Sequence, residues 1–408
     1  IYRNFKVKSR AKTKEERWKL FNATDFQSLM YPNFFISKIV GIFPYTIKTS
    51  SFETSKPRYI LWIIILSVIC VYELTILYKL NLSEKIKIEI YRIIWVNCSH
   101  LYGLFLAVIS YALSNPRMRL LQTILDISLN LPQRSYKKLS KLIHAKDVFG
   151  FFFHFWLMLM LYFLYSEMMV FGLFEMSRIF INLMAFQMDM LYINCVCVLK
   201  ACFKEINDNL ENLPEIVKNN PRWIHHEQRH PLLIKIKILK KQHLMISDTV
   251  KMLNIIFSLH LLTTIAVSLK QIIFYVYFDV IQWQNGISLN QDRIYNAFFI
   301  SVLIYYITRL ILIVWACETG KNEAIRISTI IHDVLNSIKN VQIKDELNLF
   351  SLQILHCNNA FSAKGLTIDA TLITVMVSSI STYLLILIQF LILTHSCDSK
   401  AINYTQTI

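Results

Sequence analysis

Apolar residues in this chain are gathered into seven long blocks, at residues 59–78, 90–113, 148–171, 179–199, 253–278, 297–316 and 371–393. A bilayer core is crossed by about 20 consecutive apolar residues in a helix, so each block predicts a membrane span. The last block is not uniformly apolar. Thr371, Ser378, Thr382 and Gln389 recur at spacings of seven, four and seven, which places them on one helical face. A Gln amide at membrane depth faces a partner helix or water rather than lipid. That face makes the last span the first candidate for contact with a substrate or an ion path.

The segments between the blocks are patterned too. After Pro231, the residues Leu232, Leu233, Ile234, Ile236, Ile238, Leu239, Leu244, Met245 and Val250 lead into Leu253 without Gly or Pro. This predicts one helix that leaves the membrane and continues into the adjoining compartment. After the sixth block, Ile327, Ile330, Ile331, Val334, Leu335, Ile338 and Val341 recur at three-to-four spacing. Leu347, Phe350, Ile354 and Leu355 predict a third amphipathic helix, broken by residues 358–365. These three helices are expected to pack on one another. Residues 26–43, with Pro32 and Gly41 as breakers, predict an amphipathic piece at the inner membrane surface. The seven glycines include no Gly-xxx-Gly pair, so glycine contacts are not expected to drive assembly.

Composition agrees with a membrane protein: 55% of the 408 residues are hydrophobic and the mean hydropathy is +0.43. The net charge of +16 would suit a nucleic-acid partner, but its distribution does not. Of the 43 Lys and Arg residues, 33 lie in residues 1–58 and in the loops 114–147, 204–252 and 317–365. The opposite side carries Lys85, Lys87, Arg178, Arg293 and Lys400. This is the positive-inside pattern, which puts the N-terminus in the cytoplasm and the C-terminus outside. No nucleic acid is expected. The basic first 20 residues lack the apolar stretch of a cleavable signal peptide, in keeping with an untranslocated N-terminus. Asn81 and Asn403 head sequons on the predicted outer side and are the glycosylation candidates, whereas Asn22 and Asn97 are chance matches.

The orientation is the reverse of a G-protein-coupled receptor, and no Asp-Arg-Tyr follows the third span. A metabotropic seven-span receptor is therefore disfavoured. A membrane-embedded zinc hydrolase fares no better. His100, His154 and His260 lie in three different spans, and His226 and His230 lie in a loop broken by Pro231. Cys195 and Cys202 find no His to complete a tetrahedral set, and Cys197 points elsewhere on the helix. With no Gly-rich phosphate loop and no Gly-x-Ser-x-Gly, neither a metal, a cofactor nor an enzyme is expected.

Ser381, Thr382 and Tyr383, five apolar residues, and then Gln389 and Phe390 resemble the Thr-Tyr-(five hydrophobics)-Gln-Phe signature of insect gustatory receptors. Phe350 to His356, Phe361 to Leu366, Ile368 and Asp369 resemble the C-terminal third of that family in order and spacing. Gln242, His243, Leu244, Leu253, Asn254 and Phe257 resemble the stretch leading into its fifth span, and residues 29–44 its N-terminal stretch. Lys364 departs from the pattern, where a small residue or Cys is usual. The resemblance implies seven helices with the N-terminus inside. It implies a homotetrameric, ligand-gated cation channel in the plasma membrane of sensory neurons, with or without a co-receptor. The seventh helices would line the pore and the cytoplasmic extensions would form a shared anchor. A small-molecule tastant would bind in an outer pocket within each subunit, with membrane lipid around the assembly.

The expected fold is thus an all-α membrane protein with seven transmembrane helices and a cytoplasmic helical anchor bundle. Its parts are a cytoplasmic N-terminal region (1–58), spans one to six with an outer ligand pocket (59–316), anchor helices (317–365), and the pore helix with an extracellular tail (366–408). Four copies of Gln389 would offer amide oxygens to a poorly selected cation, with Phe390 or Ile386 closing the path by dewetting and Thr382 and Ser378 further along it. Candidates for the pocket are polar and aromatic residues in the outer halves of the spans. These are Trp95, Asn97, His100, Tyr162, Tyr165, Glu167, Asn182, Gln187, Asp189, Gln271, Tyr275, Tyr305 and Tyr306. Both sugars and flat plant compounds fit such a mixture. Asp189 and Lys270 are costly in a bilayer, so each is expected to have a partner or water.

Overall fold

The computed structural model of the chain describes residues 20–48, 51–82, 90–165, 169–215, 230–284, 293–338 and 340–405. Helices dominate: α1 (Phe26–Ile39), α2 (Lys56–Leu82), α3 (Ile90–Ala112), α4 (Ser114–Ser128), α5 (Gln133–Tyr165), α6 (Met169–Glu211), α7 (His230–Gln284), α8 (Arg293–Ser337), α9 (Val341–His356) and α10 (Ala370–Thr405). Two small antiparallel hairpins interrupt them: β1 (Tyr45–Lys48) with β2 (Ser51–Thr54), and β3 (Ser362–Ala363) with β4 (Leu366–Thr367). Seven of the helices are long and apolar enough to cross a membrane: α2, α3, α5, α6, α7, α8 and α10.

The fourth span is the axis of the bundle. Along α6, 89% of the apolar window is buried within the chain, against 6% along α10. A helix that is apolar all round finds neighbours all round, and α6 packs on α1, α3, α4, α5, α7 and α8. The run from Met184 to Leu199 buries every side chain. It includes Cys195 and Cys197, which behave as small core hydrophobes.

The uninterrupted apolar patterns do become long rods. α7 has 55 residues and α8 has 45. At 1.5 Å per residue these are roughly 80 and 70 Å, more than twice the ~30 Å hydrocarbon core. Their extensions pack on α9, as the three amphipathic patterns predict. Ile236, Leu239, Ile246, Ile327, Ile331, Leu347 and Phe350 form the shared core. Lys240 pairs with Glu346 at its edge, and Gln353 donates to the Lys240 carbonyl at 2.9 Å. The β3–β4 hairpin follows, with φ of +50° at Lys364 and +88° at Gly365. Two successive positive values are the pattern of the tight hairpin turn, so Lys364 stands where the backbone favours glycine or asparagine over any other residue with a Cβ.

Two features depart from the expected fold. α4 was not anticipated within residues 114–147; its Leu120, Leu121, Ile124, Leu125 and Ile127 are buried, and the helix packs on α6 and α7. Pro32 does not break the first helix but lies inside it. Asp25 caps that helix, accepting from the Ser28 N–H at 2.8 Å. A proline lacks the N–H that would bond the carbonyl four residues back, here that of Ser28. His144 of α5 supplies the missing donor, with Nε2 at 3.1 Å from the Ser28 oxygen and 3.0 Å from that of Leu29. Its Nδ1 accepts from the Phe21 N–H at 2.9 Å, which fixes the tautomer. The helix buries Phe26, Leu29, Met30 and Phe34 against the bundle and leaves Tyr31, Phe35 and Ile39 exposed.

Replacing His144 by Phe keeps the ring but removes the donor that His144 gives the part-buried Ser28 carbonyl. The expected loss is about 1–3 kcal/mol of stability, read as a lowered thermal unfolding midpoint of the detergent-purified protein. An unchanged midpoint would show that this hydrogen bond does not hold α1 to α5.

Candidate functional site

Two adjoining cavities open among the membrane helices. The larger comprises about 470 Å³ of empty space, including space open to solvent, and is lined by His154, Leu157 and Met158 of α5, Asn182 of α6, Gln271 and Tyr275 of α7, and Phe298, Val302, Tyr305 and Tyr306 of α8. The smaller comprises about 290 Å³, counted in the same way, and is lined by Glu73 of α2, Ser99, His100 and Tyr102 of α3, Ile181 and Asn182 of α6, and Gln271 of α7. Asn182 and Gln271 belong to both. The larger chamber is thus an aromatic box with two amides at its junction with the smaller one. Gln271 is oriented from behind, because Trp95 donates its indole N–H to Gln271 Oε1 at 2.8 Å. The Trp95 ring also stands edge-on to Tyr275.

One turn along α8 from Tyr305 lies a closed ionic cluster. Arg309 Nε donates to Asp189 Oδ2. Asp189 Oδ1 meets His260 Nε2 at 2.8 Å and the Thr264 hydroxyl at 3.3 Å. Arg309 Nη2 reaches the same hydroxyl at 3.2 Å, and its guanidinium stands 6.0 Å from the Tyr305 ring centroid. All four side chains are buried. Lys270 also has partners, donating to Ser99 Oγ at 2.9 Å and to the Trp95 carbonyl at 3.5 Å.

Three turns further along α8 a second polar set holds α10. Glu318 Oε2 accepts the Ala370 N–H at 3.4 Å, and Lys321 pairs with Asp369 at 3.4 Å. The Thr371 hydroxyl donates to Asp369 Oδ1 at 2.5 Å. This hydroxyl first, and then Lys321, holds the exposed Asp369 carboxyl below the usual carboxylate range.

The sequence candidates are distributed as follows. His100, Asn182, Gln271, Tyr275, Tyr305 and Tyr306 meet at the two cavities, with Trp95 behind Gln271. Tyr162 is 68% exposed on the outside of α5 and faces away from both. Asn97 pairs with Asn81, each amide nitrogen donating to the other's oxygen at 2.8 and 3.1 Å. Gln187 accepts from Asn33 of α1 at 3.3 Å, and Asp189 belongs to the ionic cluster, so neither lines a cavity. Glu167 and the side chains of Tyr165 and Asn403 lie outside the described residues. Ser378, Thr382, Ile386, Gln389 and Phe390 are all exposed along α10, so a single chain forms no site there. Glu73 and Arg309 were missed. The signal for them was a lone ionisable residue within an apolar block. No group of three His, Cys, Asp or Glu side chains among the described residues could hold a metal ion.

The family profile described as 7tm Chemosensory receptor matches residues 30–394. The chain belongs to that family. It is a multi-pass membrane protein of a receptor family, not of an enzyme family. The fold of this chemosensory receptor is also that of the insect olfactory receptor OR5 from Machilis hrabei, at a TM-score of 0.66 and 13% identity, over 89% of this chain and 98% of that one. The structure of the same receptor in complex with eugenol aligns at a TM-score of 0.67 with 14% identity. Two gustatory receptors of Drosophila melanogaster are similar in sequence. Receptor 28b is 33% identical over 157 residues, or 36% of this chain and 32% of that receptor. Receptor 28a is 30% identical over 176 residues, or 42% of this chain and 39% of that receptor. The matches thus span about a third of the length of these relatives.

Two predictions concern the polar sets. Asp189→Ala strands a buried guanidinium and is expected to cost about 3–5 kcal/mol, whereas Asp189→Leu combined with Arg309→Met is expected to be milder than either charge-stranding single change. Thermal unfolding of the two variants compares them; a double variant as unstable as Asp189→Ala would contradict this. For Asp369 the folded carboxyl titrates below its unfolded value. Its contribution is therefore present above about pH 4 and lost as the pH falls further. Hydrogen exchange at Leu372 and Ile373, corrected for intrinsic rates, should speed up between pH 5 and pH 3, and Asp369→Asn should remove that pH dependence.

Proposed function

We propose that this chain is a gustatory receptor that works as a tastant-gated, poorly selective cation channel in the plasma membrane of sensory neurons. The observation that carries the reading is α10. It is an apolar helix long enough to span a membrane, yet only 6% of its window is buried within the chain. Leu372 and Met376 are its buried members, and its contacts are with α7 and α8. Lipid could cover the apolar side, but not with equal ease the face of Ser378, Thr382 and Gln389. The Thr382 hydroxyl turns back onto the Ser378 carbonyl at 2.9 Å, whereas the longer Gln389 amide reaches beyond the helix. Four copies of that face around an axis would enclose a path lined by hydroxyls and amides, with Ile386 and Phe390 as its apolar constriction.

In this reading the aromatic chamber takes the tastant. The resemblance of the sequence to gustatory receptors and the family itself support a small-molecule ligand, either a sugar or a plant secondary compound. Closure of the chamber on a ligand would pull on Tyr305 and Tyr306, and α8 carries the displacement as one rod to Glu318 and Lys321 at the base of α10. The positive-inside charge pattern supports a cytoplasmic anchor and an outer mouth near Gln389.

The test is to express the chain alone in a cell line and record membrane current while tastants are applied. Currents that persist in excised patches without nucleotide are expected; currents that require G-protein signalling would overturn the reading. Gln389→Ala is expected to change relative cation permeability or single-channel conductance while surface expression is kept. Unchanged permeation and dose response would remove Gln389 from the path.

A further inference from the structure

The smaller cavity holds a group that the aromatic chamber lacks. Glu73 is fully buried, on the face of α2 that meets α3. Its Oε2 meets His100 Nδ1, but its Oε1 is buried without a hydrogen-bond partner. Neither protonation state satisfies that oxygen. As a carboxylate it lacks a donor, and when the acid proton sits on Oε2, donating to His100 Nδ1, Oε1 is a carbonyl oxygen that still lacks one. A buried polar atom in that condition is destabilising, and more so when charged. The other charged group beside this chamber, Lys270, is held on Ser99 Oγ and the Trp95 carbonyl. The positive charge of Arg309 is matched by Asp189. Glu73 thus lines the smaller cavity with one carboxylate oxygen left without a partner, and Asn182 and Gln271 join that cavity to the larger one.

We propose that the two cavities are the two ends of one ligand site, and that Glu73 seats the ammonium of a protonated amine whose apolar body lies in the aromatic chamber. This rests on the reading of that chamber as the tastant pocket. The chemistry is matched end to end. An ammonium has three donors and no acceptor, which suits Glu73 Oε1 together with the amide oxygen of Asn182. An aryl or alicyclic body suits Tyr275, Phe298, Tyr305 and Tyr306, whose ring faces also favour nearby positive charge. His100 is a positioning residue: its bond to Oε2 turns the other oxygen toward the cavity. A neutral polyol can donate a hydroxyl to Glu73 but leaves its charge unmatched, and a carboxylate ligand is repelled by it.

The test uses the full-length purified chain in lipid nanodiscs and two near-isosteric probes at pH 7, 2-phenylethylamine as its ammonium and neutral 2-phenylethanol. Thermal stabilisation is titrated with each. The amine is expected to act at a concentration at least tenfold lower than the alcohol. Glu73→Gln is expected to remove the amine's advantage and bring the two probes to within about threefold of each other. Equal potency of the two probes on the wild-type chain overturns the proposal, and so does a preference for the amine that survives in Glu73→Gln. The wild-type comparison decides even where the variant does not fold. Stabilisation by the alcohol without preference for the amine removes the acidic end and leaves the tastant pocket standing. Failure of both probes removes the acidic end, and loss of tastant currents in the recording experiment separately removes the pocket.

Discussion

A guanidinium and a carboxylate at membrane depth must find each other, because lipid offers them nothing. Arg309 and Asp189 do so in one way only, with His260 and Thr264 completing the set. That bond fixes the register of α6, α7 and α8 against one another. The consequence for the cavities is geometric. Asn182 lies two turns before Asp189, Tyr305 one turn before Arg309, and Gln271 two turns after Thr264 on the helix that runs the other way. All three therefore stand on the same side of the ion pair. The walls of the aromatic chamber are placed by a bond that the ligand itself need not touch.

The same helix links three places. Along α8, Tyr305 and Tyr306 line the chamber, Arg309 holds the ion pair, and Glu318 with Lys321 clamps the start of α10. A packed helix moves as a unit rather than bending to absorb a displacement. The anchor formed by α7, α8 and α9 gives that rod a fixed far end, since Lys240, Glu346 and Gln353 tie α9 to α7.

Much of this was legible in the pattern of apolar positions. The seven spans, the two rods and the amphipathic α9 follow from periodicity, which reports how much of a helix surface is covered. It does not report by what. α4 was hidden because Leu120, Leu121, Ile124 and Leu125 form a short stripe in a basic loop, and Pro32 read as a breaker because its compensating donor, His144, lies 112 positions away. The candidate site was legible by residue type but not by direction. Tyr162 and Tyr305 look alike in sequence, yet one faces outward and the other inward, because α5 shows lipid a face that α8 turns to the core. Glu73 and Arg309 were visible as charges inside apolar blocks. What could not be read was that Arg309 meets the carboxylate of Asp189 while Glu73 meets only His100.

The bare flank of α10 bears on heredity as well as on physics. If copies of this chain assemble around α10, as proposed, they complete the segment that each chain alone leaves uncovered. If those copies come from two alleles, each assembly is a mixture, and a chain with a damaged α10 spoils the good ones it joins. A fault in the aromatic chamber stays within its own subunit. Lesions at Gln389 would then be dominant, and lesions at Tyr275 recessive.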